Sequence, residues 1–161
     1  MDDTCLLMCK YQSDLFEYSI KYLKCSSRYF FKKFMNSSIA SRMDKKGFIY
    51  ESIDYPAILN DLKKETDLSR GSVKTPSNIM AWVGYLCRYW AYKYNISSKK
   101  IYSIIHLDEF ERLYDAYHSL DVNEAIERIN EAKKVKYIND EDYVFDVAYK
   151  IVSDNSLSKY K

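Results

Sequence analysis

The sequence predicts an all-α fold: a compact single-domain bundle of six to seven helices over residues 1–161, built around a central buried helix at 76–94. Three observations predict it. The chain has only 3 Gly and 2 Pro, too few for the many tight turns of a sandwich or barrel. Apolar residues recur at intervals of three and four along most of its length, which is the helical period. The stretch from Thr75 to Tyr94 is apolar or aromatic on nearly every side, as befits a helix surrounded by others. A chain of this size buries roughly two thirds of its unfolded surface, so one core suffices.

Taken in order, residues 3–24 set Leu6, Cys9, Leu15, Phe16, Ile20 and Leu23 on a broad apolar stripe. Ser26 or Ser27 then caps a helix running through 28–43, whose Phe30, Phe31, Phe34, Met35, Ile39 and Met43 keep helical spacing. Gly47 is the stop signal for that helix. Residues 48–53 are apolar and β-branched enough for a short extended link. Asp54 caps a helix over 56–65, with Pro56 in its first turn. Residues 66–74 form a polar loop too short to divide the chain into domains.

The start of the central helix is doubly marked. Thr75 offers a hydroxyl to an orphan amide, and Pro76 supplies a preset φ without an N–H to leave unpaired. Ile79, Val83, Leu86, Cys87, Trp90 and Tyr94 line one face, and Trp82, Tyr85, Tyr89 and Lys93 line a second. Both faces require partners. Gly84 in mid-helix costs roughly 1 kcal/mol against Ala, which predicts another backbone crossing closely there. Arg88 is then a charge set among aromatic rings. Further on, Ser97, Asp108 and Asp121 cap three short helices, the last with Glu124 at the capping-box position. A final helix is expected from about Asp140, with Tyr143, Val144, Val147, Ile151 and Val152 as its apolar face, followed by a frayed tail.

Charge and composition exclude several function classes. With 25 basic and 23 acidic residues, the net charge of +2 exerts no general pull on nucleic acid or anionic membrane. Any basic patch must be local. In sequence, Lys93, Lys99, Lys100 and Arg88 with Trp90, Tyr92 and Tyr102 come nearest to one, although a solvated helix edge explains the lysines equally well. The start of the chain is acidic and lacks a secretory pattern, and no apolar run approaches the roughly 18 residues of a membrane span. A cytoplasmic protein with no membrane partner is expected. Cys5, Cys9, Cys25 and Cys87 form no paired grid and read as reduced, buried thiols. Cys5 and Cys9 share a helix face, but neither of the two histidines is nearby in sequence, so no metal site is expected. Neither a phosphate-binding glycine loop, an HExxH pair nor a nucleophile elbow occurs, and no cofactor or enzyme activity is expected.

One pair of residues carries a catalytic resemblance. Arg112 and His118, with five residues between them, resemble the arginine–histidine signature of the HEPN ribonuclease family. The resemblance implies His118 as the acid/base and Arg112 as the holder of the scissile phosphate. Leu113 stands where that family carries a polar residue. The same two side chains also read as structural, with Arg112 paired to Asp108 or Glu109 on its own helix and His118 helping to end it.

Seventeen tyrosines supply ring bodies with polar tips, suited to half-buried positions and to protein interfaces. A tyrosine-tolerant core is the other reading of them. Four blocks carry a wider resemblance: FFKKFMNSSIASRMD at 30–44, WVGYLCRYW at 82–90, SSKKIY at 97–102 and YDAYHSLDVNEAIERI at 114–129. In that order they are similar to a family of small bacterial proteins with F-x-x-x-F-M-N-S-x-I-A, W-I-G-Y-x-Y-R-Y-W, S-S-x-x-I-Y and Y-H-T-L-D motifs. Cys87 stands where the family has an aromatic residue and Ser119 where it has threonine. Such proteins resemble antitoxin or accessory members of toxin–antitoxin operons, near genes for ADP-ribosyltransferase-like toxins. The resemblance implies a protein partner, a cognate toxin, rather than a reaction. Rings and arginine anchors contribute most to such interfaces, which nominates Arg88, Tyr89, Tyr92, Tyr114, Tyr117 and His118 as the partner-binding set. A helical DNA-binding regulator reading through residues 97–118 is an alternative, though its second helix would open on Asp108, Glu109 and Glu111, which repel phosphates.

Overall fold

The computed structural model describes residues 1–46 and 54–137, and within them every regular element is a helix. The chain order is α1 (Asp3–Tyr22), α2 (Ser27–Met35), α3 (Ser38–Met43), α4 (Tyr55–Glu65), α5 (Ser77–Tyr94), α6 (Ser98–Ile104), α7 (Leu107–Tyr117) and α8 (Val122–Lys133). Gly47, the link at 48–53 and the expected last helix from Asp140 lie outside the described residues.

The principal packing pair is α1 against α5, the central helix expected from its two apolar faces. Gly84 explains the intimacy of that crossing. A Cβ there would lie 2.7 Å from the Gln12 carbonyl oxygen and 3.0 Å from both the Ser13 Cα and the Phe16 ring. The missing side chain is what lets the α1 backbone pass. Beside it Phe16 meets Phe30, Phe31 and Phe34 edge-on, with centroids 5.0–6.1 Å apart, and this aromatic knot seats α2 under the α1–α5 pair. Val83, Leu86, Cys87 and Trp90 are all buried, as are Leu59 and Leu62 of α4 and Ile126 and Ile129 of α8.

The helix expected through 28–43 is two helices. Ser37 breaks it: its backbone is extended, its hydroxyl donates to the Phe34 carbonyl, and its oxygen accepts from the Ala40 N–H at 3.1 Å. Local side-chain bonds of this kind compete with the helical ladder, so Ser37 ends one helix while capping the next. Other caps fall as expected at Ser26, Asp54, Ser97 and Asp121, each accepting from an amide two or three residues on. Three details differ. Thr75 caps nothing, because its hydroxyl donates to Glu111 and its own N–H to Ser27 Oγ. The helix expected to be capped by Asp108 starts two residues earlier, with His106 at the cap and the Glu109 carboxylate accepting the His106 N–H at 3.3 Å. Glu124 forms no capping box; it pairs with Arg128 instead. Leu6, placed on the apolar stripe of α1, is exposed.

The polar loop after α4 is a strap rather than a spacer. Ser26 and Ser27 donate their N–H groups to the Arg70 and Val73 carbonyls, and Lys74 Nζ reaches the carbonyls of Leu23 and Cys25 at the end of α1. Gly71 adopts φ +73° with its Cα side turned to Ser26, where a Cβ would come within 2.8 Å of the serine side chain. Positive φ and close approach both call for glycine there.

Candidate functional site

Helical geometry divides the nominated residues of α5 between two environments. Arg88 and Tyr92 are one turn apart and point together into the bundle, whereas Tyr89 lies 100° around the axis and is half-buried at the surface. Arg88 is 0% exposed and Tyr92 2%. Neither is available to a partner, which corrects the expectation for both.

Arg88 instead organises a polar network inside the fold. Its Nε and Nη2 donate to Gln12 Oε1 at 2.9 and 2.8 Å, its Nη1 to Asp44 Oδ1 at 2.7 Å, and Nη2 also to Ser98 Oγ at 3.1 Å. Gln12 Nε2 donates to the Gly84 carbonyl, and Asp44 accepts both the N–H and the hydroxyl of Ser98. The guanidinium also lies 5.4 Å from the centre of the Tyr92 ring, whose hydroxyl donates to the Met43 carbonyl. Four segments meet at this one cation: α1, the end of α3, α5 and the start of α6. The planar five-donor fork is what allows three acceptors to be met at once. Burial pushes the thiols on either side of this network up, Cys9 to about 12, with the Arg88 charge only partly opposing the shift. Cys87 moves the same way for the same reason.

The surface candidates gather on the second face of α5 and on α7. Trp82 stands edge-on to Tyr114, with centroids 5.5 Å apart, and Tyr114 stacks on His118 at 4.4 Å. Asn78 donates to the Tyr114 hydroxyl at 3.0 Å. Tyr85 and Tyr89 stack at 6.3 Å along the same helix, and Tyr117 is half-buried against the core. Trp82, Tyr85, Tyr89, Tyr114, Tyr117 and His118 thus form an aromatic stripe along α5 and the adjoining α7. Trp82 and Tyr85 were legible in the sequence as part of a second apolar face of the central helix. Tyr89 also edges a cleft of about 360 Å³, together with Cys5, Lys46, Lys93 and Asn123.

The arginine–histidine pair is otherwise engaged. Arg112 Nη1 lies 3.3 Å from Asp108 Oδ2, one turn back on its own helix, and His118 Nδ1 lies 2.7 Å from the Tyr114 carbonyl. Among the described residues no three His, Cys, Asp or Glu side chains gather as a metal site, and no helix is long and apolar enough to cross a membrane. The first turn of α7 carries Asp108 and Glu109, and Glu111 follows, bonded to both Arg28 and Thr75. Comparison with protein-family models, with curated proteins and with solved structures finds no match.

Proposed function

We propose that this protein is a binding module for another protein, antitoxin-like, neutralising or accompanying an operon-encoded toxin of the ADP-ribosyltransferase-like kind in the cytoplasm. The observation that carries the reading is the stripe of half-buried Trp82, Tyr85, Tyr89, Tyr114 and Tyr117 with the exposed His118, six amphipathic rings along α5 and α7. Rings of this kind give large contact area at small entropic cost and leave a polar tip for hydrogen bonding. The four-block resemblance supports the choice of partner. The acidic opening of α7 and the engagement of Arg112 and His118 weigh against the DNA-binding and nuclease alternatives.

Co-expression with the product of the neighbouring gene tests it. Complex formation and rescue from toxicity are measured for the wild type and for Tyr89→Ala, Tyr117→Ala and Lys99→Ala. A central tyrosine should cost about 2 kcal/mol, roughly a 30-fold loss of affinity, while the exposed Lys99 should cost little. No complex with the wild type, or equal binding by all three variants, would overturn the reading. RNA cleavage by the purified chain that vanishes in both Arg112→Ala and His118→Ala, with folding intact, would put the nuclease in its place.

A further inference from the structure

The near-neutral chain carries a local concentration of cations among rings that uses none of the residues of the tyrosine stripe. α2 has Arg28, Lys32 and Lys33 and no acidic residue. Arg28 and Lys32, one turn apart, line a cleft of about 310 Å³ with Tyr29, Phe31, Tyr102 and His106, and the carboxylate of Asp108 stands at its edge. Across the cleft Tyr102 and His106 stack face to face, with centroids 4.5 Å apart and planes 26° apart, which leaves an outer face on the exposed His106, and Phe31 packs against Tyr102 at 5.8 Å. On the near side Lys33 and Arg70 lie 5.3 and 5.8 Å from the centre of the Tyr29 ring, which adds Arg70 to the cationic rim. The two carboxylates nearby are already matched. Glu111 accepts from Arg28 at 2.7 Å, and Asp108 from Arg112 at 3.3 Å.

We propose that this cleft binds a nucleotide unit, its base packed against the Tyr102–His106 pair and its phosphate held by Lys32. Flat π surface beside mobile cations is the combination that binds unpaired bases and their phosphates without reading sequence. A volume of about 310 Å³ is at the small end of ligand sites, room for one nucleotide and not for a larger cofactor. Two sources share that chemistry, a free nucleotide and a single strand of nucleic acid. The site does not depend on the protein-binding reading, because it uses none of that stripe's residues.

The test is fluorescence anisotropy of a short labelled oligothymidylate with the full chain at low and moderate salt, with AMP as competitor. Tyr102→Ala should weaken binding about 5- to 100-fold, the range for loss of one stacked base. Lys32→Glu should weaken it and flatten its salt dependence. Lys21→Glu, the same charge change on exposed α1, should leave binding unchanged. If circular dichroism shows that Tyr102→Ala does not fold, the exposed His106→Ala carries the test with the same expected direction. Competition by AMP assigns the site to a free nucleotide, and its failure to compete assigns the site to a strand. No binding of either probe at low salt, equal loss in Lys21→Glu, or indifference to both ring variants would overturn the proposal.

Discussion

Arg88 shows how far one side chain's role depends on what surrounds it. As a cation in an aromatic helix it has the composition of an interface anchor, yet in the fold it is wholly buried and bonded to Gln12, Asp44 and Ser98. Arg88→Ala should therefore act through stability. Removing one partner of a buried pair strands the other, at about 3–5 kcal/mol, so urea denaturation should show a large shift in midpoint for Arg88→Ala. Arg88→Lys should recover only part of it, because a point ammonium cannot meet three acceptors in a plane. Gly84 is the second such position. With the Gln12 carbonyl 2.7 Å from where its Cβ would stand, Gly84→Leu should destabilise by roughly 1–3 kcal/mol despite its gain in helix propensity. Thermal unfolding of that variant measures the balance directly.

At the level of elements, the ends are set by local chemistry. Ser37 both ends α2 and caps α3, so Ser37→Ala should cost about 1 kcal/mol, and a fall in Tm of roughly 2–4 °C is the expected reading for a domain of this size. Two helices end on left-handed residues, Asn95 after α5 at φ 50° and Lys134 after α8 at φ 53°. Asparagine adopts that conformation readily, and lysine does so only at a cost. Lys134→Gly should raise stability by up to about 1 kcal/mol while Asn95→Gly changes it less, a difference that paired thermal melts resolve. The strap at 66–76 is the element whose role the sequence conceals. Its composition is that of a spacer, whereas its carbonyls and Lys74 serve the α1–α2 turn.

The molecule as a whole is stabilised by groups that must stay neutral. Burial raises the Cys9 thiol from its ordinary value near 9 to about 12, and the Tyr92 phenol from near 10 to about 12, with Cys87 shifted in the same direction. In the unfolded chain these groups ionise at their ordinary values. The unfolded state therefore loses protons first as pH rises, and stability present in full below pH 9 is lost progressively between about 9 and 12. Denaturation midpoints measured from pH 7 to pH 11 should be level up to about 9 and then fall. Replacing Cys9 with Ala should flatten part of that fall.

What the sequence determined by itself was most of what depends on short-range regularity, the break at Ser37 and the cap at His106 excepted. Helix periodicity, serine and aspartate caps, the two apolar faces of α5 and the close crossing at Gly84 all follow from residues within a turn or two of one another, or from a cost that only packing can offset. Tertiary structure alone decided which of two apolar faces is sealed and which is left half-open. It also joined Arg88 to Gln12 and Asp44, which are 76 and 44 positions away, and gathered α2, α6 and α7 around one basic, ring-lined cleft. No periodicity encodes such pairings, because the free energy of a buried charge or an open cleft depends on groups brought together only when the chain closes on itself.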